Sequence, residues 1–249
     1  MKGSVETFEA GAMRMWTQIV GEGKDGEPLP LLCLLDGEDM PGSLDAMLRE
    51  GKRLPGGEDL PAFLAVSFGP IDWSHSFSPW EAPAVHVGSE PFTGGGRETL
   101  AGIEQTVLPE TARRYPIAGR EGRFVMGYSL SALFALWTMY ESGAFGGCAC
   151  DSGSLWFDGW MEYMRANHPR ADSRIRLSLG KKEEKTRNRR FAAIGAATRE
   201  AAELLAQEEN VAESTLVLHD GGHGHEVARR RALSMIWLLR TSRRGKDYV

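Results

Sequence analysis

Ser129 stands in Gly127-Tyr128-Ser129-Leu130-Ser131, behind the run Arg123-Phe124-Val125-Met126 and ahead of Ala132-Leu133-Phe134-Ala135-Leu136-Trp137. Strand formers pass into helix formers with no polar loop between them, which places the serine on a sharp strand-to-helix turn, the nucleophile-elbow pattern. Such a turn strains its central residue, and small residues two positions away let strand and helix approach. Gly127 meets that demand, while Ser131, where the pattern usually has Gly, crowds the turn without forbidding it. A serine hydroxyl is protonated at neutral pH and needs a base before it can attack a carbonyl carbon. The segment Asp220-Gly221-Gly222-His223-Gly224-His225-Glu226 offers two imidazoles. His223 is preferred over His225, because its flanking glycines free the backbone to aim the ring into a cleft. A third group would orient the base. Glu183 and Glu184, inside Lys181-Lys182-Glu183-Glu184-Lys185, and Asp151 are the candidates, and a serine–histidine dyad without an acid is also workable.

The same chemistry needs donors for the oxyanion that forms on the carbonyl, and backbone N–H groups suffice. Leu130, directly after the serine at a helix N-terminus, is one expected donor, and Glu38 in the Gly37-Glu38 turn is the other. Two aromatic loops offer a pocket wall: Trp73, Phe77 and Trp80 in one, Trp156 and Trp160 in the other. Gly94-Gly95-Gly96 lacks the lysine and spacing of a phosphate-binding loop. His223-Gly224-His225-Glu226 lacks the further ligands of a metal site, so neither metal nor cofactor is expected.

These groups must be carried by strands and helices in alternation. Met13, Met15 and Trp16 read as part of a strand, Leu29 to Leu35 as a strand covered on both faces, and Leu44 to Glu50 as a short helix. Pro61 to Phe68 is a further strand, and Glu98 to Tyr115 a helix that Pro109 is expected to kink or break. After the elbow helix, Leu130 to Glu141, strands are expected near Cys148, over Arg174 to Gly180 and over Ser214 to His219. An amphipathic helix from Phe191 to Glu208 and a final helix complete the pattern, with Arg229-Arg230-Arg231 read as a solvated helix face. The expected architecture is one α/β domain over residues 1–249, a mostly parallel sheet covered on both faces with its site at the C-terminal strand edge.

With 29 Lys and Arg against 34 Asp and Glu, the net charge of −5 gives no basic footprint for nucleic acid. No apolar run approaches the roughly 18 residues that span a bilayer, and the N-terminus has no signal-peptide core. A cytoplasmic protein with three buried free thiols, Cys33, Cys148 and Cys150, is expected.

Leu34-Leu35-Asp36-Gly37-Glu38-Asp39, Phe77-Ser78-Pro79-Trp80, Leu108-Pro109-Glu110, the elbow segment to Ala135, Ser152-Gly153-Ser154-Leu155-Trp156 and Leu179-Gly180-Lys181-Lys182-Glu183-Glu184-Lys185-Thr186 recur in this order along nearly the whole chain. Together they resemble the serine esterases of the α/β-hydrolase superfamily, the group containing esterase D and the ferric-siderophore esterases. The resemblance implies the α/β-hydrolase fold, Ser129 as nucleophile, His223 as base and Glu183 as acid, although some siderophore esterases use a dyad. The chain departs in Ser131 and in Trp73-Ser74-His75-Ser76, where many relatives have Arg, Asn or Asp, so the relatives' substrates do not transfer. The expected function is hydrolysis of small carboxylic esters through an acyl-enzyme. The alternatives are thioester or peptide hydrolysis by the same serine, or a binding protein that keeps the fold as scaffold.

Overall fold

The computed structural model describes residues 3–24, 26–86 and 88–244, with residues 241–244 by backbone alone. In chain order the strands and helices are β1 (Glu6–Ala10), β2 (Met13–Val20), β3 (Leu31–Leu34), α1 (Met40–Gly51), β4 (Phe63–Gly69), α2 (Trp73–Ser76), β5 (Glu81–Ala82), β6 (Phe92–Thr93), α3 (Gly96–Gly102), α4 (Leu108–Arg114), β7 (Arg123–Tyr128), α5 (Leu130–Glu141), β8 (Gly147–Asp151), α6 (Trp160–Ala166), β9 (Ser173–Gly180), α7 (Arg189–Ala192), α8 (Ile194–Gln207), β10 (Val211–His219) and α9 (Val227–Arg244). Eight strands form one sheet in the order β1-β2-β4-β3-β7-β8-β9-β10. The β1–β2–β4 edge is antiparallel, and every pairing from β4 through β10 is parallel.

The continuously apolar runs are explained by the two faces they serve. In β3, Leu31 and Cys33 enter the core shared with α5, α6 and α8, whereas Leu32 and Leu34 enter the core under α1 and α9. The alternation repeats in β7, where Val125 faces the first core and Phe124 and Met126 the second. A strand buried on both sides has no reason to alternate polar with apolar residues. Helix α5 is buried at every position from Leu130 to Tyr140, as expected of a helix that is apolar all round. Among the described residues no helix is long and apolar enough to cross a membrane.

Two helices differ from their expected outline. The helical run that contains Pro109 is not broken there. It takes a π turn over Ile103–Val107, with Leu108 N–H donating to Ile103 C=O. A wider turn just before the proline relieves the ring clash and the missing donor that would stop a regular helix. The expected helix from Phe191 instead divides into α7, whose N-terminus is capped by the Asn188 side chain, and α8, which starts at Ile194. The first of the two expected aromatic loops, with Trp73, Phe77 and Trp80, contains the short helix α2, capped by Asp72.

The sheet register then sets the site. Tyr128 pairs with Asp151 and Asp151 with Ser178, while His219 pairs with Gly180. The loops that follow β7, β8, β9 and β10 therefore leave one edge of the sheet together.

Candidate active site

Ser129 lies between β7 and α5 with φ 62° and ψ −120°, a conformation that costs a non-glycine residue about 1–3 kcal/mol. The surroundings hold it there. Its N–H donates to Asp151 C=O at 3.1 Å, and its C=O accepts from Leu133 N–H at 3.2 Å and Ser154 N–H at 3.0 Å. A Cβ on Gly127 would lie 2.3 Å from the Ser131 carbonyl carbon and oxygen, so only glycine fits. The crowding expected of Ser131 is absorbed by hydrogen bonding. Its hydroxyl accepts from Tyr128 N–H at 2.9 Å and donates to Tyr128 C=O at 3.0 Å.

The loop after β9 folds back on itself: Glu183 N–H donates to Gly180 C=O at 3.0 Å, and Gly180 N–H donates to Glu183 Oε1 at 2.6 Å. The Glu183 side chain, expected in a solvated charge run, is consequently only 3% exposed. Its Oε1 also accepts from Ser152 Oγ at 2.6 Å and Arg230 Nη2 at 3.0 Å, and its Oε2 meets His223 Nδ1 at 2.7 Å. Burial raises the pKa of a carboxyl group. Here the bonds from His223, the Ser152 hydroxyl and the Gly180 N–H outweigh that effect and lower Glu183 to about 2. Nδ1 is thus engaged, and His223 lines the same cavity as Ser129, whose Oγ lies 3.5 Å from Ser154 Oγ.

The other candidates are occupied elsewhere. Asp151 is fully buried, accepts from Ser178 Oγ at 2.6 Å and Ser234 Oγ at 2.7 Å, and is raised by desolvation. Glu184 pairs with Arg199 at 2.6 Å, and the His225 ring lies 3.8 Å from Glu226. His219, half-buried at the end of β10, is pushed down to about 4 by burial and by Arg230, Arg176 and Arg229. Of the donors expected for an oxyanion, Leu130 lines the cavity with Ser129. Glu38 lines a neighbouring cavity of about 360 Å³, which shares Trp73 with the first.

The cavity at Ser129 has a volume of about 460 Å³. Of the five expected aromatics, Trp73 and Trp156 line it. The other three do not: Phe77 is buried against Phe134 of α5, Trp160 is buried in the core, and Trp80 stacks on Trp160 while its Nε1 donates to Asp158 C=O at 2.8 Å. Phe92 and Phe191 take their places on the wall. They are remote in sequence from both aromatic loops, and nothing in their spacing marks them.

The reading of Arg229-Arg230-Arg231 as a solvated face holds for Arg229 alone. The Arg230 side chain is 1% exposed, and besides Glu183 it donates to Ser152 Oγ, to Tyr128 OH at 3.2 Å and to Gly222 C=O at 3.5 Å. Tyr128 OH in turn donates to His223 C=O. Arg231, also buried, pairs with Asp36 Oδ2 at 2.7 Å and so ties α9 to the loop carrying Gly37 and Glu38. A sequence signal existed: Arg231 falls four residues before Met235, on the stripe of α9 that faces the core.

Comparison with known proteins bears on the family and the fold. A family model described as "Putative esterase" matches residues 16–232. No curated protein matches the chain in sequence. Among solved structures, the siderophore hydrolase EstB from Aspergillus nidulans is similar at TM-score 0.72 and 16% identity, over 96% of this chain and 95% of that one. An IroE-like serine hydrolase from Shewanella oneidensis is similar at TM-score 0.73 and 15% identity, over 94% of this chain and 79% of that one. The enterobactin esterase FES from Shigella flexneri is similar at TM-score 0.69 and 21% identity, over 96% of this chain but 59% of that one. At these identities the structures establish the shared α/β-hydrolase fold, and the family match covers most of the length. The chain belongs to the esterase family of that match and is a carboxylic ester hydrolase.

Proposed function

We propose that the protein hydrolyses small carboxylic esters through an acyl-enzyme formed on Ser129, with His223 as general base and acid and Glu183 as the carboxylate that orients it. The observation that carries this reading is the 2.7 Å contact between His223 Nδ1 and Glu183 Oε2, beside a serine held at φ 62° in the wall of the same cavity. His223 takes the hydroxyl proton as Oγ bonds to the carbonyl carbon, and the C=O electron pair moves onto oxygen. That oxyanion is received by the Leu130 N–H, which as the first residue of a helix has no intrahelical acceptor, and in this reading by the N–H of Glu38, on the neighbouring cavity. Collapse breaks the bond to the alcohol oxygen, to which His223 returns the proton. Water, deprotonated by His223, then attacks the acyl carbon, and Ser129 leaves with the proton restored. Glu183 stays ionised throughout, since its pKa lies far below any pH at which the imidazole works.

The test is labelling by a fluorophosphonate, with peptide mapping, beside turnover of a short p-nitrophenyl ester. Label on Ser129 alone, with label and turnover both lost in Ser129→Ala, is expected. A folded wild type that takes no label under conditions that modify a known serine esterase would overturn the assignment.

A further inference from the structure

Among the described residues, the cavity wall is largely aromatic and apolar and carries no permanent positive charge. Trp156 meets Phe191 edge to face at 4.9 Å and Phe92 at 6.3 Å, and His86 meets Phe191 at 5.4 Å. Trp73, 46% exposed, also lines the cavity. Among the described residues that line this cavity there is no Lys or Arg. The nearby guanidinium of Arg190, 5.5 Å from the Trp156 ring centre, is not among the lining residues: it pairs with Asp158 at 3.0 Å, its Nη1 donates to Pro83 C=O and Ala84 C=O, each at 3.0 Å, and its Nε is buried without a hydrogen-bond partner. The carboxylates on the wall are Glu183, held by Arg230 and His223, and Glu90, which is exposed.

From this wall we infer that the site selects esters whose bound group is uncharged and aromatic or otherwise apolar, and rejects anionic ones, with Glu90 as a specificity-determining residue. The inference rests on the ester-hydrolase reading for its mechanism but not for its physics. An apolar group gains from leaving water for an aromatic wall. A carboxylate, phosphate or catecholate oxygen entering the same space loses its hydration, meets no guanidinium or ammonium in return, and approaches Glu90 instead.

The test separates binding from turnover. In Ser129→Ala protein, at about pH 8 and low salt, above the range in which free histidine takes up a proton, calorimetry compares N-phenyl phenylacetamide with its 4-carboxy analogue. The neutral amide is expected to bind at least about tenfold tighter, with the ratio shrinking as salt is raised. Glu90→Lys is expected to compress the ratio by on the order of tenfold, and Glu90→Gln by less. Equal affinity for the two amides, tighter binding of the carboxylate, binding of neither, or a ratio unmoved by Glu90→Lys would each overturn the inference. Wild-type turnover of p-nitrophenyl phenylacetate reports on the hydrolase reading separately: a preference in binding without turnover or fluorophosphonate label would keep the specificity and overturn the chemistry.

Discussion

Replacing Arg230 by Met should separate what holds the site from what performs the chemistry. The substitution keeps most of the apolar stem and removes the donors to Glu183, Ser152, Tyr128 and Gly222. Breaking a buried ion pair from one side typically costs about 3–5 kcal/mol. Glu183 would keep the Gly180 N–H, the Ser152 hydroxyl and His223, so the lower end, about 3 kcal/mol, is expected. For a chain of this size that corresponds to a fall in Tm of roughly 6–12 °C. Arg230 touches neither Ser129 nor the cavity, so it acts as a positioning residue. It fixes Glu183 directly and the His223 backbone through Tyr128, and a displacement of about 1 Å there can cost on the order of 100-fold in rate. The assay is the rate of fluorophosphonate labelling at 10 °C, where every variant is folded, set beside thermal unfolding. Met235→Ala, which opens a cavity in the same helix at a typical cost of about 2–5 kcal/mol, is the control for lost stability alone. Arg230→Lys should recover part of the labelling rate, since it restores the charge but not the two-armed fork. If Arg230→Met labels as fast as Met235→Ala at equal loss of Tm, the positioning role is refuted.

Three further outcomes are expected. Thermal stability should fall as pH drops from 6.5 toward 4, because His219, at about 4 in the folded chain against 6.5 when free, makes the unfolded state bind the extra proton across that window. A second loss follows from 4.5 downward as Glu183, held at about 2, is protonated first in the unfolded state, and His219→Gln should flatten only the upper window in a series of melts. Cys33, pushed up to about 12 by burial, and the equally buried Cys148 and Cys150, both raised, should resist a thiol reagent such as dithionitrobenzoate in the native state and react on unfolding. Gly127→Ala should fail to yield folded protein, as its Cβ would meet the Ser131 backbone at 2.3 Å, whereas Ser131→Gly should fold and label with a loss of about 1 kcal/mol in stability, read by melting and fluorophosphonate rate.

The strands around Ser129 were legible because a doubly covered strand is written as an unbroken apolar run, and the elbow because such a run passes straight into helix formers. Glu183 was harder to read. Its neighbours Lys181, Lys182 and Lys185 look like a solvated loop, and the turn that folds its side chain back onto Gly180 N–H has no mark in composition. Arg230 and Arg231 were hidden for the same reason, since a buried guanidinium is stable only through partners that are distant in sequence: Glu183, Tyr128 and Asp36. Aromatic residues could be counted but not aimed. Trp156 and Trp160 are four residues apart, yet one faces the cavity and the other opens α6 inside the core. The fate of Pro109 depended on a π turn ahead of it, a choice of backbone path that the residues alone leave open.

The position of the two buried arginines in the chain also bears on how the protein comes into being. Ribosomes deliver the N-terminal part first, so β7, Ser129 and α5 leave the ribosome about a hundred residues before Arg230 and Arg231 on the last helix. Until that helix docks, Glu183, the His223 loop and the Gly37 turn lack the contacts that Arg230 and Arg231 make to them and to Asp36. A nascent or truncated chain without α9 would thus lack Arg230 and Arg231, and hydrolysis by the proposed Ser129, His223 and Glu183 is expected only once that helix has docked.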